Sequence, residues 1–182
     1  MAQRISKEEY YLEIAKSVCK RSPCIRRKYG AIIVKNDTII STGYNGPVRG
    51  GVNCCEVGCL KDMLKEPHFE TLSPIDQFKA YINCPAVHAE ENAVINAARS
   101  GSEVSGGTMY IYGEDLNGET VEASPCIRCK RILINSGIER VVIKTKDSFK
   151  IIRVSDWIRE DSWDYLRKLE DAKRLISSSP QS

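Results

Sequence analysis

A three-layer α/β/α sandwich built on a mixed central sheet is the fold this sequence predicts, on three observations. The chain has 182 residues, enough to bury one core without covalent help. Its content, 42% hydrophobic and 28% charged, is that of a soluble globular protein. Its apolar segments open with a hairpin and then alternate strand with helix, the pattern of an α/β domain.

Ser6 with Glu9 reads as a capping box for the first helix, whose buried stripe is Tyr11, Ile14, Ala15 and Val18. "YGAIIV" (29–34) and "TIISTGY" (38–44) are strand-like runs, and Lys35-Asn36-Asp37 between them signals a hairpin. From Asn45 to about Asn83 the chain is irregular and rich in Gly, Cys and Pro, with one short helix expected after Pro74. A loop this long in a compact domain is usually functional or held in place. A helix is expected from near His88 to Gly101, a C-terminal glycine. "TMYIYG" (108–113) is the next strand, and Asn117-Gly118 beyond it is a short-hairpin cue. Ser124-Pro125 offers an N-cap and a first-turn proline for the helix "CIRCKRILINSG" (126–137). "ERVVIKT" (139–145) is a further strand. The last helix, from about Ser155, is expected to bury Ile158, Tyr165, Leu166, Leu169 and Ile176. Residues 1–176 then form a single domain, and 177–182 read as a disordered tail.

Net charge is +3, from 27 basic and 24 acidic residues, too balanced to argue for a nucleic-acid or membrane surface. No basic, aromatic-interleaved stripe suggests nucleic acid as partner. No apolar run approaches the ~18 residues a membrane span requires. The segment "MAQRISKEEYY" is charged and has no signal-peptide core. A cytoplasmic protein is therefore expected, where thiols stay reduced. Its eight cysteines then point to metal binding before disulfides.

"SPCIRC" (124–129) places Cys126 and Cys129 at i and i+3, on one face of a helix's first turn. There the helix dipole and unpaired N–H groups favour thiolates. His88, one of two histidines, stands at the other predicted helix start. Two thiolates and an imidazole make three zinc ligands, and a catalytic site leaves the fourth position to water. Zinc brings the pKa of such a water towards neutrality. Glu90, two positions beyond His88, is placed to move that proton as general base and then general acid. H-x-E followed by P-C-x-x-C is the signature of the zinc nucleobase deaminases, so the chemistry expected is hydrolytic deamination of an amidine-like ring carbon.

"CIRRKYGAIIVKNDTIISTGYNG", "RGGVNCCEVGCL", "HAEENAVINAARSG" and "PCIRCKRILINSGIERVV" resemble the deoxycytidylate (dCMP) deaminase branch of the cytidine deaminase superfamily, over about residues 8 to 145. The resemblance implies a cytidine deaminase-like fold and conversion of dCMP to dUMP and ammonia in pyrimidine nucleotide metabolism. It implies zinc on His88, Cys126 and Cys129, proton shuttling by Glu90, and a contact from Asn45 in "GYNG" to the nucleoside. Arg26 in "CIRRK" is expected at the phosphate, since a guanidinium fork matches phosphate oxygens. A second, structural zinc occurs in some family members, at cysteine positions resembling Cys24 and Cys54; Cys84 would be a third ligand and Cys59 or His68 the fourth. The family is also often homo-oligomeric and regulated by deoxynucleoside triphosphates through the "GYNG" loop region.

Two segments depart from the family pattern. "GEDLNGETVEA" (113–123) intervenes before the P-C-x-x-C motif and adds a hairpin beside the active-site mouth, and residues beyond 145 match nothing in the family. Two other readings therefore stand beside dCMP deamination. One is the same chemistry on another cytosine nucleoside, nucleotide or RNA base. The other is a non-catalytic, zinc-stabilised binding module, for which Glu90 would have no use.

Overall fold

The computed structural model describes residues 4–63 and 82–178. Helix α1 (Lys7–Cys19) opens on the expected capping box: Glu9 N–H donates to Ser6 Oγ at 3.1 Å, and Ser6 N–H donates to the Glu9 carboxylate at 3.1 Å. It buries Tyr11, Leu12, Ala15 and Cys19, with Ile14 and Val18 half-buried at its flanks. Strands β1 (Lys28–Lys35) and β2 (Thr38–Tyr44) form an antiparallel hairpin. Asn36 (φ 51°) and Asp37 (φ 59°) make its two-residue turn, both left-handed as such a turn requires.

Single turns α2 (Cys54–Val57) and α3 (Leu60–Met63) lie in the segment the sequence marks as irregular. The short helix expected after Pro74 falls outside the described residues. Helix α4 (Ala89–Ser100) closes on Gly101, as expected. Strand β3 (Thr108–Glu114), helix α5 (Ile127–Asn135) and strand β4 (Arg140–Lys144) follow. Strand β5 (Phe149–Arg153) was not expected from sequence, and helix α6 (Val154–Ser178) continues directly from it.

The sheet runs in the order β2-β1-β3-β4-β5. The β3/β4 pair is parallel and the others are antiparallel, so the sheet is mixed. Alternation along the strands divides the core into two layers. Ile32, Val34, Tyr110, Tyr112 and Val142 pack against α1. Ala31, Ile33, Met109, Ile111, Val141 and Ile143 pack against Ala89 and Ala93 of α4 and Leu133 of α5. Gly43 lets α4 come this close: a Cβ there would stand 2.3 Å from Ala93 N and 2.4 Å from Ala89 O. The first turn of α4 therefore rests on the backbone of β2.

Helix α6 corrects one expectation. It buries Val154 and Trp157, whereas Ile158, Tyr165, Leu166, Leu169 and Ile176 are exposed. Ile158, next to buried Trp157, is left out of the contact on the packed turns themselves, and for the residues further along the reason is length. At ~1.5 Å per residue, a 25-residue helix outruns a nine-residue one nearly threefold. Its first turns rest on α5, where Lys130 lies over the Trp157 ring at 5.1 Å and Arg131 pairs with Asp161 at 3.0 Å.

Candidate metal centre and active-site cavity

Two helix starts meet at the end of the sheet where β3 finishes and β1 begins, Lys28 pairing with Glu114. His88 is the N-cap of α4, and Cys126 is the N-cap of α5. The cap therefore falls at Cys126 and not at Ser124, whose hydroxyl donates to Glu122 at 3.1 Å. Cys126 makes no side-chain capping bond, which leaves its sulfur available, and Cys129 follows one turn later. His88 Nδ1 lies 3.3 Å from Cys129 Sγ and 3.5 Å from Cys126 Sγ, and all three donor atoms are within 4.8 Å of one another. Tetrahedral zinc, at ~2.3 Å from sulfur and ~2.0 Å from nitrogen, spaces such donors ~3.6 Å apart, so this set fits that ion.

Burial holds the His88 imidazole below its ordinary pKa, which keeps it neutral with a lone pair to offer. Burial, and then the neighbouring Glu90 and Cys126, push the Cys129 thiol far up. A thiolate there needs a cation beside it. Glu90 is 7% exposed, and burial raises its carboxyl above the ordinary carboxylate range although the Cys129 side chain hydrogen-bonds it. A buried carboxyl poised towards neutrality suits a group that must both take and give a proton.

His88 and Glu90 open, with Cys126, onto a cavity of about 670 Å³. The same cavity is lined by Arg26, Arg27, Lys61 and Asp62, by Asn45, and by Leu116, Ala123 and Ser124. Arg26 Nε pairs with Asp62 at 2.9 Å. The Asn45 amide is largely engaged inside the protein: its Oδ1 accepts from Ser22 Oγ and from Tyr29 N–H, each at 2.7 Å, and its Nδ2 donates to Arg27 O at 3.0 Å. It thereby fixes the backbone that carries the arginines. Cys24, Cys54, Cys59 and Cys84 line this cavity as well. Cys54 is pushed up by burial and then by Cys24, Cys59 and Cys84, so these thiols are neighbours. Among the described residues they do not close to the mutual distances of the His88 group. His68 lies outside the described residues.

Sequence reasoning missed Glu91 and Arg128. Glu91 accepts from His88 N–H at 3.2 Å and pairs with Arg128, which stands between the two cysteines of C-x-x-C. One buried carboxylate thus joins the segments that bring all three donors. The signal was readable as the H-x-x-E spacing of a capping box, the same spacing as Ser6 and Glu9.

The family described as "Cytidine and deoxycytidylate deaminase zinc-binding region" matches residues 5–145. The chain belongs to this family. Among curated deaminases, the deoxycytidylate deaminase of Enterobacteria phage T4 is 37% identical, with 72% of this chain and 74% of that protein covered. The deoxycytidylate deaminase of Schizosaccharomyces pombe is 34% identical, with 78% of this chain and 38% of that protein covered. The crystal structure of the dCMP deaminase of cyanophage S-TIM5 in complex with dCMP and dUMP is similar in fold. It has a TM-score of 0.52 at 28% identity, covering 76% of this chain and 82% of that one. Family membership and the donor set together make this the site of a zinc-dependent hydrolytic deaminase.

Proposed function

We propose that this protein converts dCMP and water to dUMP and ammonia. The observation that carries the reading is one cavity holding both halves of the task. Nδ1 of His88 lies between two cysteine sulfurs beside buried Glu90, and Arg26, Arg27 and Lys61 line the same space. The names of the relatives, and the dCMP and dUMP of the similar cyanophage structure, support the choice of substrate.

His88, Cys126 and Cys129 would hold the zinc, which supplies a Lewis acid that makes water acidic enough to lose a proton near neutral pH. Glu90 takes the proton of the attacking water and delivers it to the ring nitrogen N3. It then takes the proton of the new C4 hydroxyl and gives it to the departing 4-amino group, leaving a C4 carbonyl. A C4–O bond forms, the C4–N bond breaks, and ammonia leaves. The cations at the other wall hold the 5′-phosphate, with Arg26 presenting its terminal nitrogens while Asp62 fixes its Nε.

Ammonia release from zinc-loaded protein with dCMP, CMP, deoxycytidine and cytosine tests this, with Glu90→Gln beside it. dCMP should be turned over fastest, and Glu90→Gln should lower kcat by about 10²–10⁴-fold with zinc retained. Turnover of all four alike, or a silent Glu90→Gln, would overturn the reading.

Three finer features belong to the same proposal. A second, structural zinc would sit among Cys24, Cys54, Cys59 and Cys84, supported by the four thiols lining one cavity. A deoxynucleoside triphosphate effector would use the neighbouring cleft of about 420 Å³, lined by Arg49, Gly50, Gly51, Asn92 and Asn96. The protein would work as a homo-oligomer in the cytoplasm, a setting with which its eight free cysteines agree. Among the described residues no helix is long and apolar enough to cross a membrane.

A further inference from the structure

We propose that Leu116, on the turn between β3 and the C-x-x-C motif, is a substrate-binding residue: its apolar surface is covered by the pyrimidine ring when substrate enters. The inference rests on the nucleotide reading above.

The turn is built to hold its shape. Asp115 Oδ1 accepts from Asn117 N–H and from Glu119 N–H, each at 2.9 Å. Asp115 N–H donates to Glu119 O at 3.0 Å, and Gly118, at φ 80°, supplies the left-handed step that closes the loop. Its base is tied back by Val121 N–H to Gly113 O at 3.0 Å, and by Tyr112 with Thr120 at 3.1 Å. Lys150 pairs with Glu122 at 2.8 Å just beyond.

This rigid turn carries a leucine that is 63% exposed, yet its side chain lines the same cavity as His88, Glu90 and Cys126. Of the larger aliphatic side chains lining that cavity among the described residues, Ile111 is already buried, as are the smaller Ala89 and Ala123, while Pro47 and Ala86 are half-buried. Among the described residues Leu116 is therefore the exposed large aliphatic side chain of the cavity, the one with most water to lose. A cytosine ring has polar edges and apolar faces. Its edges must meet Glu90 and the metal ligands for reaction, so a face is what remains for an apolar neighbour at the mouth. Because the turn is already fixed, covering Leu116 costs little backbone ordering, and the burial goes into binding.

The test measures the Kd of dCMP by equilibrium dialysis on zinc-loaded Glu90→Gln protein, with and without Leu116→Ala or Leu116→Asn. Leu116→Asn keeps the size and removes the apolarity. Both should weaken binding about tenfold, which is ~1.4 kcal/mol. With Glu90 intact, KM for dCMP should rise by the same factor while kcat holds, as for binding shared by ground and transition states. The thermal midpoint should not move, because Leu116 stands mostly in solvent; a merely structural residue would shift it. Binding within twofold of the parent in both variants would overturn the role of Leu116 alone. Failure of the parent to bind dCMP would overturn the nucleotide reading and this inference with it.

Discussion

Glu90 and Glu91 are adjacent, both buried, and differently engaged. Glu90 faces the cavity with its pKa raised by burial. Glu91 turns back to the His88 backbone and across to Arg128. The H-x-E motif made Glu90 readable from sequence, because a proton carrier two positions from a ligand has a chemical reason to be there. Arg128 was not readable, since its partner lies 37 residues away and only folding joins them. Arg26 and Asn45 could be placed at the cavity from sequence, but the bonds that occupy them could not, because Ser22 and Asp62 reach them only through the fold. Groups that orient metal ligands commonly matter about 10–100-fold to metal affinity. Glu91→Ala should therefore weaken zinc by about that factor, as measured by competition with a chromogenic chelator. Glu91→Gln should recover part of the loss through its bond to His88 N–H. Unchanged zinc affinity in Glu91→Ala would show that the helix starts are held without it.

At the level of elements, the crossing of α4 over β2 is set by the lack of a side chain at Gly43. Gly43→Ala would place a methyl on the backbone of Ala89 and Ala93, and something must shift. The expected cost is about 1–3 kcal/mol in urea unfolding, the usual range for overpacking. Zinc affinity should fall too, because the turn displaced is the one that begins at His88. A stability loss with zinc affinity intact would mean that α4 moves as a rigid body together with α5. Helices α1, α4 and α5 and strands β1 to β4 were legible because each has a sustained period or a recognisable cap. Strand β5 was not. It is five residues long with two cations, and it exists through its pairing with β4, as edge strands often do. In α6 the helical period was visible, but an apolar stripe says nothing about what will cover it.

For the molecule as a whole, the three-layer frame followed from the alternation of segments, and the site's position followed from two helices starting at one end of the sheet's strands. The match to the family model ends at residue 145, and β5 and α6 lie beyond it, with β5 still paired to β4 as the last strand of the sheet. Helix α6 contains both of the chain's tryptophans, six positions apart. Trp157 is 4% exposed under Lys130, and Trp163 is 77% exposed. The protein therefore carries a built-in pair of optical probes, one dry and one wet. Acrylamide should quench the red-shifted emission of Trp163 and leave the blue-shifted emission of Trp157 nearly untouched. In Trp163→Phe protein the remaining light should change colour only when α6 lifts from α5. Fluorescence during stepwise denaturation can then tell whether this C-terminal helix parts from the rest of the domain before the core itself unfolds.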